Sequence, residues 1–233
     1  MNPVAPVTST RIQLGSSIPV TIKIVLGVIL AAAAWGAMFV LRKDGFWTRA
    51  AVAAAAIGTY AIAVEPTTIG HLFDRRDWTG DLGVGLVSGA VLYGVFWVGE
   101  QALVIVAPKL AVEVGQLYDV RGQTKRWFMP LVLAVAAPGE ELFFRGLLQH
   151  QAGVAIALAV YGAVHLWERK LILVLAALIG GVWWGALLAW TGGLIAPVVS
   201  HLLWCMAIIV WRPARPTAWA ERAGRHLRAA IGR

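Results

Sequence analysis

A short stretch at residues 138–145, Pro-Gly-Glu-Glu-Leu-Phe-Phe-Arg, places three charged side chains inside an apolar part of the chain. Glu141 and Arg145 are four residues apart, so on a helix they share one face and can neutralise each other. Glu140 is rotated by about 100° from that face and must find its partner on another helix. The spacing therefore predicts one structural carboxylate, Glu141, and one carboxylate available for chemistry, Glu140. The proline and glycine before the pair are expected to weaken or kink the helix there.

Two histidines in later apolar segments, His165 and His201, are the candidate partners of Glu140. A carboxylate beside an imidazole can take a proton from water, which is the general-base step that makes a hydroxide equivalent. The same three side chains could instead hold a divalent metal such as zinc, with one position open for water. Cys205 follows His201 by four residues, so the two share a helix face and could donate to a developing oxyanion. These residue types alone leave general-base hydrolysis and a metal site both open.

The segments that carry these residues are expected to cross a membrane. Of the 233 residues, 59% are hydrophobic and 14% are charged, and the mean hydropathy is +0.73. Soluble domains are about half apolar and a quarter charged, whereas a spanning helix needs about 20 mainly apolar residues. The pattern predicts an all-α transmembrane bundle of about seven spans, or eight, with the seven at residues 22–41, 50–64, 82–107, 127–148, 152–166, 171–190 and 194–211. Charges within such spans are costly and mark candidate functional positions, and Glu100 in the third span adds one more.

Lysine and arginine are unevenly divided between the two sides of this bundle. With alternating spans, fifteen of them fall on one side and four on the other. The positive-inside rule then places the richer side, with the C-terminus, in the cytoplasm. The net charge of +8 is thereby assigned to loops and tail facing anionic lipid, and nucleic acid is not expected as a partner.

The chain divides by composition into three parts. Residues 1–21 are expected to be a flexible N-terminus, residues 22–211 the helical bundle with its motif-bearing core at 127–211, and residues 212–233 a basic cytoplasmic tail. The bias toward Ala, Val, Gly and Arg is typical of a high-GC bacterial protein, which indicates the plasma membrane of a bacterium. The single cysteine excludes a disulfide framework or a CxxC site. The twelve tryptophans are expected mostly at span ends, as membrane-interface anchors.

Three motifs, in order, resemble those of the CAAX protease and bacteriocin-processing (CPBP) family of intramembrane proteases, the type II CAAX prenyl endopeptidase-like proteins. Residues 140–146, Glu-Glu-Leu-Phe-Phe-Arg-Gly, match its Glu-Glu-x-x-x-Arg motif. Residues 161–165, Tyr-Gly-Ala-Val-His, look like its aromatic-x-x-x-His motif, with Tyr161 where Phe is usual. Residues 193–197 leading to His201 resemble the third motif. The resemblance covers roughly residues 127–211.

The resemblance implies a role for each motif residue. Glu140 and His165 would activate water for peptide hydrolysis, and His201 would stabilise the oxyanion. Glu141 and Arg145 would hold the first motif in place. If a metal is bound, its ligands would be Glu140, His165 and His201.

Cys205 departs from the family pattern, which usually has Asn at this position. A thiol is a weaker hydrogen-bond donor than an amide, and losing one oxyanion donor costs about 10²–10³ in rate in a serine protease. Two further hypotheses therefore stand beside an endopeptidase acting on a membrane-associated peptide or protein. One is a non-catalytic membrane scaffold or bacteriocin-immunity-type protein with the same fold. The other is a small transporter that uses Glu100, Glu140 and His165 as a proton relay.

Overall fold

The computed structural model describes residues 18–41, 45–74, 77–118, 124–211, 221–222, 225–226 and 229, and these contain helices and no strands. The helices, in chain order, are α1 (Val20–Val40), α2 (Phe46–Val64), α3 (Pro66–Phe73), α4 (Trp78–Val106), α5 (Pro108–Tyr118), α6 (Phe128–Glu141), α7 (His150–Ala152), α8 (Val154–Val164), α9 (Leu171–Thr191) and α10 (Ile195–Cys205). A first π-helix (Leu142–Gln149) joins α6 to α7, a 3-10 turn (His165–Glu168) follows α8, and a second π-helix (Met206–Trp211) follows α10. The predicted all-α class is confirmed.

Each of the seven predicted spans coincides with a helical segment. Within the described residues, α1, α2, α4 and α9 are long and apolar enough to cross a membrane. The segments Val154–Glu168 and Ile195–Trp211 are apolar but shorter, and α6 continues through the first π-helix into α7. The protein is therefore an integral membrane protein with a helical bundle. The predicted N-terminal segment up to residue 17, the loop residues 42–44 and 75–76, Arg121 and most of the 212–233 tail lie outside the described residues.

Two helices, α3 and α5, lie between the predicted spans. Both begin with a proline at the first helical position, where its missing N–H costs nothing. The Glu113 carboxylate of α5 accepts a hydrogen bond from the backbone N–H of Ile172 at 3.1 Å, which satisfies an otherwise free donor in the first turn of α9. Helices α3 and α5 therefore connect the spans, and α5 also caps the first turn of α9.

The contact between α2 and α6 depends on paired glycines. A Cβ on Gly58 would lie 2.9 Å from the Cα of Gly139, and one on Gly139 would overlap the carbonyl of Ala54. Helix α6 runs through Pro138 and Gly139 and ends at Glu141, where the first π-helix begins. Gly58 and Gly139 let the backbones of α2 and α6 approach closely, just before the two adjacent carboxylates Glu140 and Glu141.

Helix α4 packs against α10 through a second pair of glycines. A Cβ on Gly85 would lie 2.8 Å from the carbonyl oxygen of Ala196, and one on Gly89 would lie 2.7 Å from that of Ser200. Small residues four positions apart let membrane helices approach closely. This contact sets the position of the helix that carries His201.

Replacing Gly89 with leucine is expected to destabilise the protein by about 1–3 kcal/mol, because the new side chain must push α4 away from α10. The matched control is Gly83→Leu, since Gly83 is exposed on the same helix and a Cβ there meets nothing within 4 Å. Reversible unfolding in mixed detergent micelles measures both changes. Equal stability of the two variants would contradict the glycine contact.

Candidate functional site

The first motif forms a buried ion pair, as its spacing predicts. Glu141 is fully buried and Arg145 is 2% exposed, and Arg145 Nη1 lies 3.3 Å from Glu141 Oε1. Arg145 Nη2 also donates to the carbonyl oxygen of Gly181 on α9 at 3.3 Å. The guanidinium carbon lies 4.6 Å from the ring centroid of Tyr161 and 5.4 Å from that of Trp184. Arg145 thus joins the first motif to α8 and α9.

His201 pairs with Glu141 rather than with Glu140, which corrects the partner expected from sequence. His201 Nδ1 lies 2.8 Å from Glu141 Oε1, and the imidazole stacks on Trp184 with centroids 3.7 Å apart at 19°. A carboxylate can only accept, so Nδ1 carries the proton and donates. Cys205 lies one helical turn after the same histidine on α10. Glu141 therefore anchors both Arg145 and His201 on one carboxylate oxygen.

Glu140 lies in a different environment from its neighbour in sequence. Its side chain is half-buried, and its Oε2 accepts a hydrogen bond from the Tyr161 hydroxyl at 2.8 Å. The two adjacent carboxylates thus point to different partners, as the rotation of about 100° per residue requires. Glu141 is thus a fully buried, paired carboxylate, whereas Glu140 is the more accessible one.

His165 lies at the end of α8, where the helix tightens into the 3-10 turn. Its Nδ1 is 2.7 Å from the backbone oxygen of Tyr161, and its ring is edge-on to Tyr161 at 4.8 Å and to Trp35 at 6.0 Å between centroids. A carbonyl only accepts, so the proton lies on Nδ1 and a neutral His165 keeps a lone pair on Nε2. His165 is thus oriented by the main chain of its own helix.

The predicted metal-ligand set of Glu140, His165 and His201 does not fit the arrangement. In the part of the chain that the structure describes, no three or more His, Cys, Asp or Glu side chains form a group that could hold a metal ion. The chemistry below is derived from the side chains alone.

The remaining predicted residues occupy buried positions. Cys205 is 7% exposed and packs in an apolar cluster with Trp47 and Met129. Glu100 is 6% exposed on α4.

Two sets of residues that the sequence did not single out complete the site. Trp184 is 1% exposed and stacks on His201, although the tryptophans were expected mostly at span ends. Trp183 Nε1 donates to Ser88 Oγ at 2.7 Å. The same Ser88 Oγ lies 3.1 Å from the Oγ of Ser200, the residue before His201. In the sequence, the sole indication of these contacts was that each residue is polar or aromatic and lies near a motif residue or near a glycine within a span.

Comparison with known proteins bears on part of the chain. Residues 122–207 match the family model described as type II CAAX prenyl endopeptidase, Rce1-like. No curated protein and no solved structure matches the chain. The matched range runs from just before α6 into the second π-helix and contains all three motifs. The resemblance inferred from those motifs is therefore confirmed for this segment.

Proposed function

We propose that this integral membrane protein with an Rce1-like segment is an intramembrane endopeptidase that hydrolyses a peptide bond of a membrane-associated protein or peptide. The observation that carries the proposal is the different environment of the two adjacent carboxylates. Glu141 is sealed by Arg145 and His201, whereas Glu140 is half-buried and keeps one oxygen beyond its bond to Tyr161. A general base needs such an oxygen to reach a water.

In the proposed reaction, Glu140 takes a proton from a water molecule as that water attacks the scissile carbonyl carbon. The resulting tetrahedral intermediate collapses with cleavage of the C–N bond, and the proton passes from Glu140 to the leaving amine. His165, through the lone pair on Nε2, accepts a hydrogen bond from the same water and orients it. His201 acts as an imidazolium in this step: its Nδ1–H is held by the Glu141 carboxylate, which stabilises the positive charge, and its Nε2–H donates to the oxyanion.

The test is a cleavage assay with purified full-length protein in liposomes. The probes are two quenched fluorescent peptides of one sequence ending in a CAAX tail, one farnesylated and one not. We expect His165→Asn to lower the cleavage rate by about 10²–10⁴-fold, because the asparagine amide can still donate to the Tyr161 carbonyl but offers no basic ring nitrogen. His150→Asn, at an exposed position on α7, is the matched control and should cleave at the wild-type rate.

Cys205 favours a second candidate function, a non-catalytic scaffold or immunity-type protein with the same fold. The buried thiol, one helical turn after His201, is a weak donor to an oxyanion. Wild-type protein that folds normally in liposomes yet cleaves neither peptide would favour this candidate. Cleavage that His165→Asn leaves intact would contradict the proposed hydrolysis.

A further inference from the structure

Tyr161 contacts three of the polar groups in the candidate site. Its hydroxyl donates to Glu140 Oε2 at 2.8 Å, its backbone oxygen accepts from His165 Nδ1 at 2.7 Å, and its ring faces the Arg145 guanidinium at 4.6 Å. The side chain is 3% exposed and is wedged between Phe144, at 4.6 Å between centroids, and His165. One residue therefore links the carboxylate, the imidazole and the ion pair.

The direction of each hydrogen bond follows from the chemistry of its atoms. An ionised carboxylate and a carbonyl oxygen can only accept, so the tyrosine O–H and the His165 Nδ1–H are the donors. The first bond fixes Oε2 of the half-buried Glu140 carboxylate, so in the proposed reaction Oε1 is the oxygen that takes the proton from water. The second bond leaves the lone pair of His165 on Nε2. Contacts with Tyr161 thus orient the Glu140 carboxylate and leave His165 with an acceptor nitrogen at Nε2, as the proposed reaction requires.

We propose that Tyr161 is a positioning residue for the proposed hydrolysis, with its hydroxyl holding the Glu140 carboxylate in the orientation that takes a proton from water. This inference rests on the proposed function. The packing argues that the hydroxyl position is fixed, because the ring is clamped between Phe144 and His165 and has little freedom to rotate away. A charge-assisted bond to a rigid donor restrains the carboxylate more strongly than solvent does.

Tyr161→Phe isolates the hydroxyl. Phenylalanine keeps the ring contacts and the backbone bond to His165 and removes only the donor to Glu140. Since a misplaced catalytic group can cost about 100-fold, we expect kcat on the better-cleaved peptide to fall about 10- to 100-fold, with KM within about twofold. The matched control is Tyr60→Phe, which removes a hydroxyl that donates to the Lys23 carbonyl oxygen at 2.7 Å within the same bundle. Tyr60→Phe should leave both constants within about twofold.

A spectroscopic measurement tests the hydrogen bond without activity. The infrared difference between wild type and Glu140→Gln isolates the carboxylate band of Glu140, and we expect Tyr161→Phe but not Tyr60→Phe to shift that band. An unshifted band, or unchanged kcat in an active enzyme, would overturn the positioning role. If Tyr161→Phe shifts the band but the wild-type protein cleaves neither peptide, the proposed function is refuted, and the positioning role with it, while the hydrogen bond itself stands.

Discussion

Glu141→Ala is expected to lower the free energy of unfolding by about 3–5 kcal/mol, which is the usual cost of removing one partner from a buried ion pair. Glu141 is fully buried, and Arg145 Nη1 and His201 Nδ1 both approach its Oε1. Without the carboxylate, a guanidinium that is 2% exposed has no counter-charge in this pair, and the His201 ring loses its anchor. Reversible unfolding in mixed detergent micelles, followed by tryptophan fluorescence, measures the change.

Glu65→Ala is the matched control, because it also breaks an ion pair between helices. Glu65 Oε1 lies 2.8 Å from Lys23 Nζ, but the two side chains are 14% and 15% exposed at the end of α2. The Lys23 hydrogen bond lowers the pKa of Glu65, yet partial exposure limits what the pair contributes to about 1 kcal/mol. If both variants lost the same stability, the buried Glu141 cluster would not have the structural role assigned to it.

The sequence predicted contacts that depend on one helix and missed those that depend on how two helices meet. The Glu141–Arg145 pair could be predicted because helical spacing alone places the two side chains on one face. The choice between Glu140 and Glu141 as the partner of His201 depends on the rotation of α10 relative to α6. That rotation is set by the close glycine contact of α10 with α4, which no spacing within the motif encodes.

The same distinction accounts for Tyr161. Its place in the aromatic-x-x-x-His pattern was visible, whereas its hydrogen bond to Glu140 depends on the packing of α8 against the first π-helix and the end of α6. The first π-helix itself was not predicted, since the periodicity argument assumed 3.6 residues per turn throughout. Helices α3 and α5 were missed because 8 and 11 residues are too few to span a bilayer.

Glu140→Gln is expected to lower kcat for peptide cleavage by about 10²–10⁴-fold while changing the free energy of unfolding by less than about 1 kcal/mol. The amide oxygen can still accept the Tyr161 hydroxyl, so the fold keeps its contact, but glutamine cannot take a proton from water. Glu141→Gln is the matched control: the same change one residue away removes the counter-charge of Arg145, so stability should fall clearly. Cleavage of the CAAX-tailed peptides in liposomes and unfolding in micelles give the two readouts. A Glu140→Gln variant that cleaves at the wild-type rate would show that the more accessible carboxylate is not the base, whatever the stability of the two proteins.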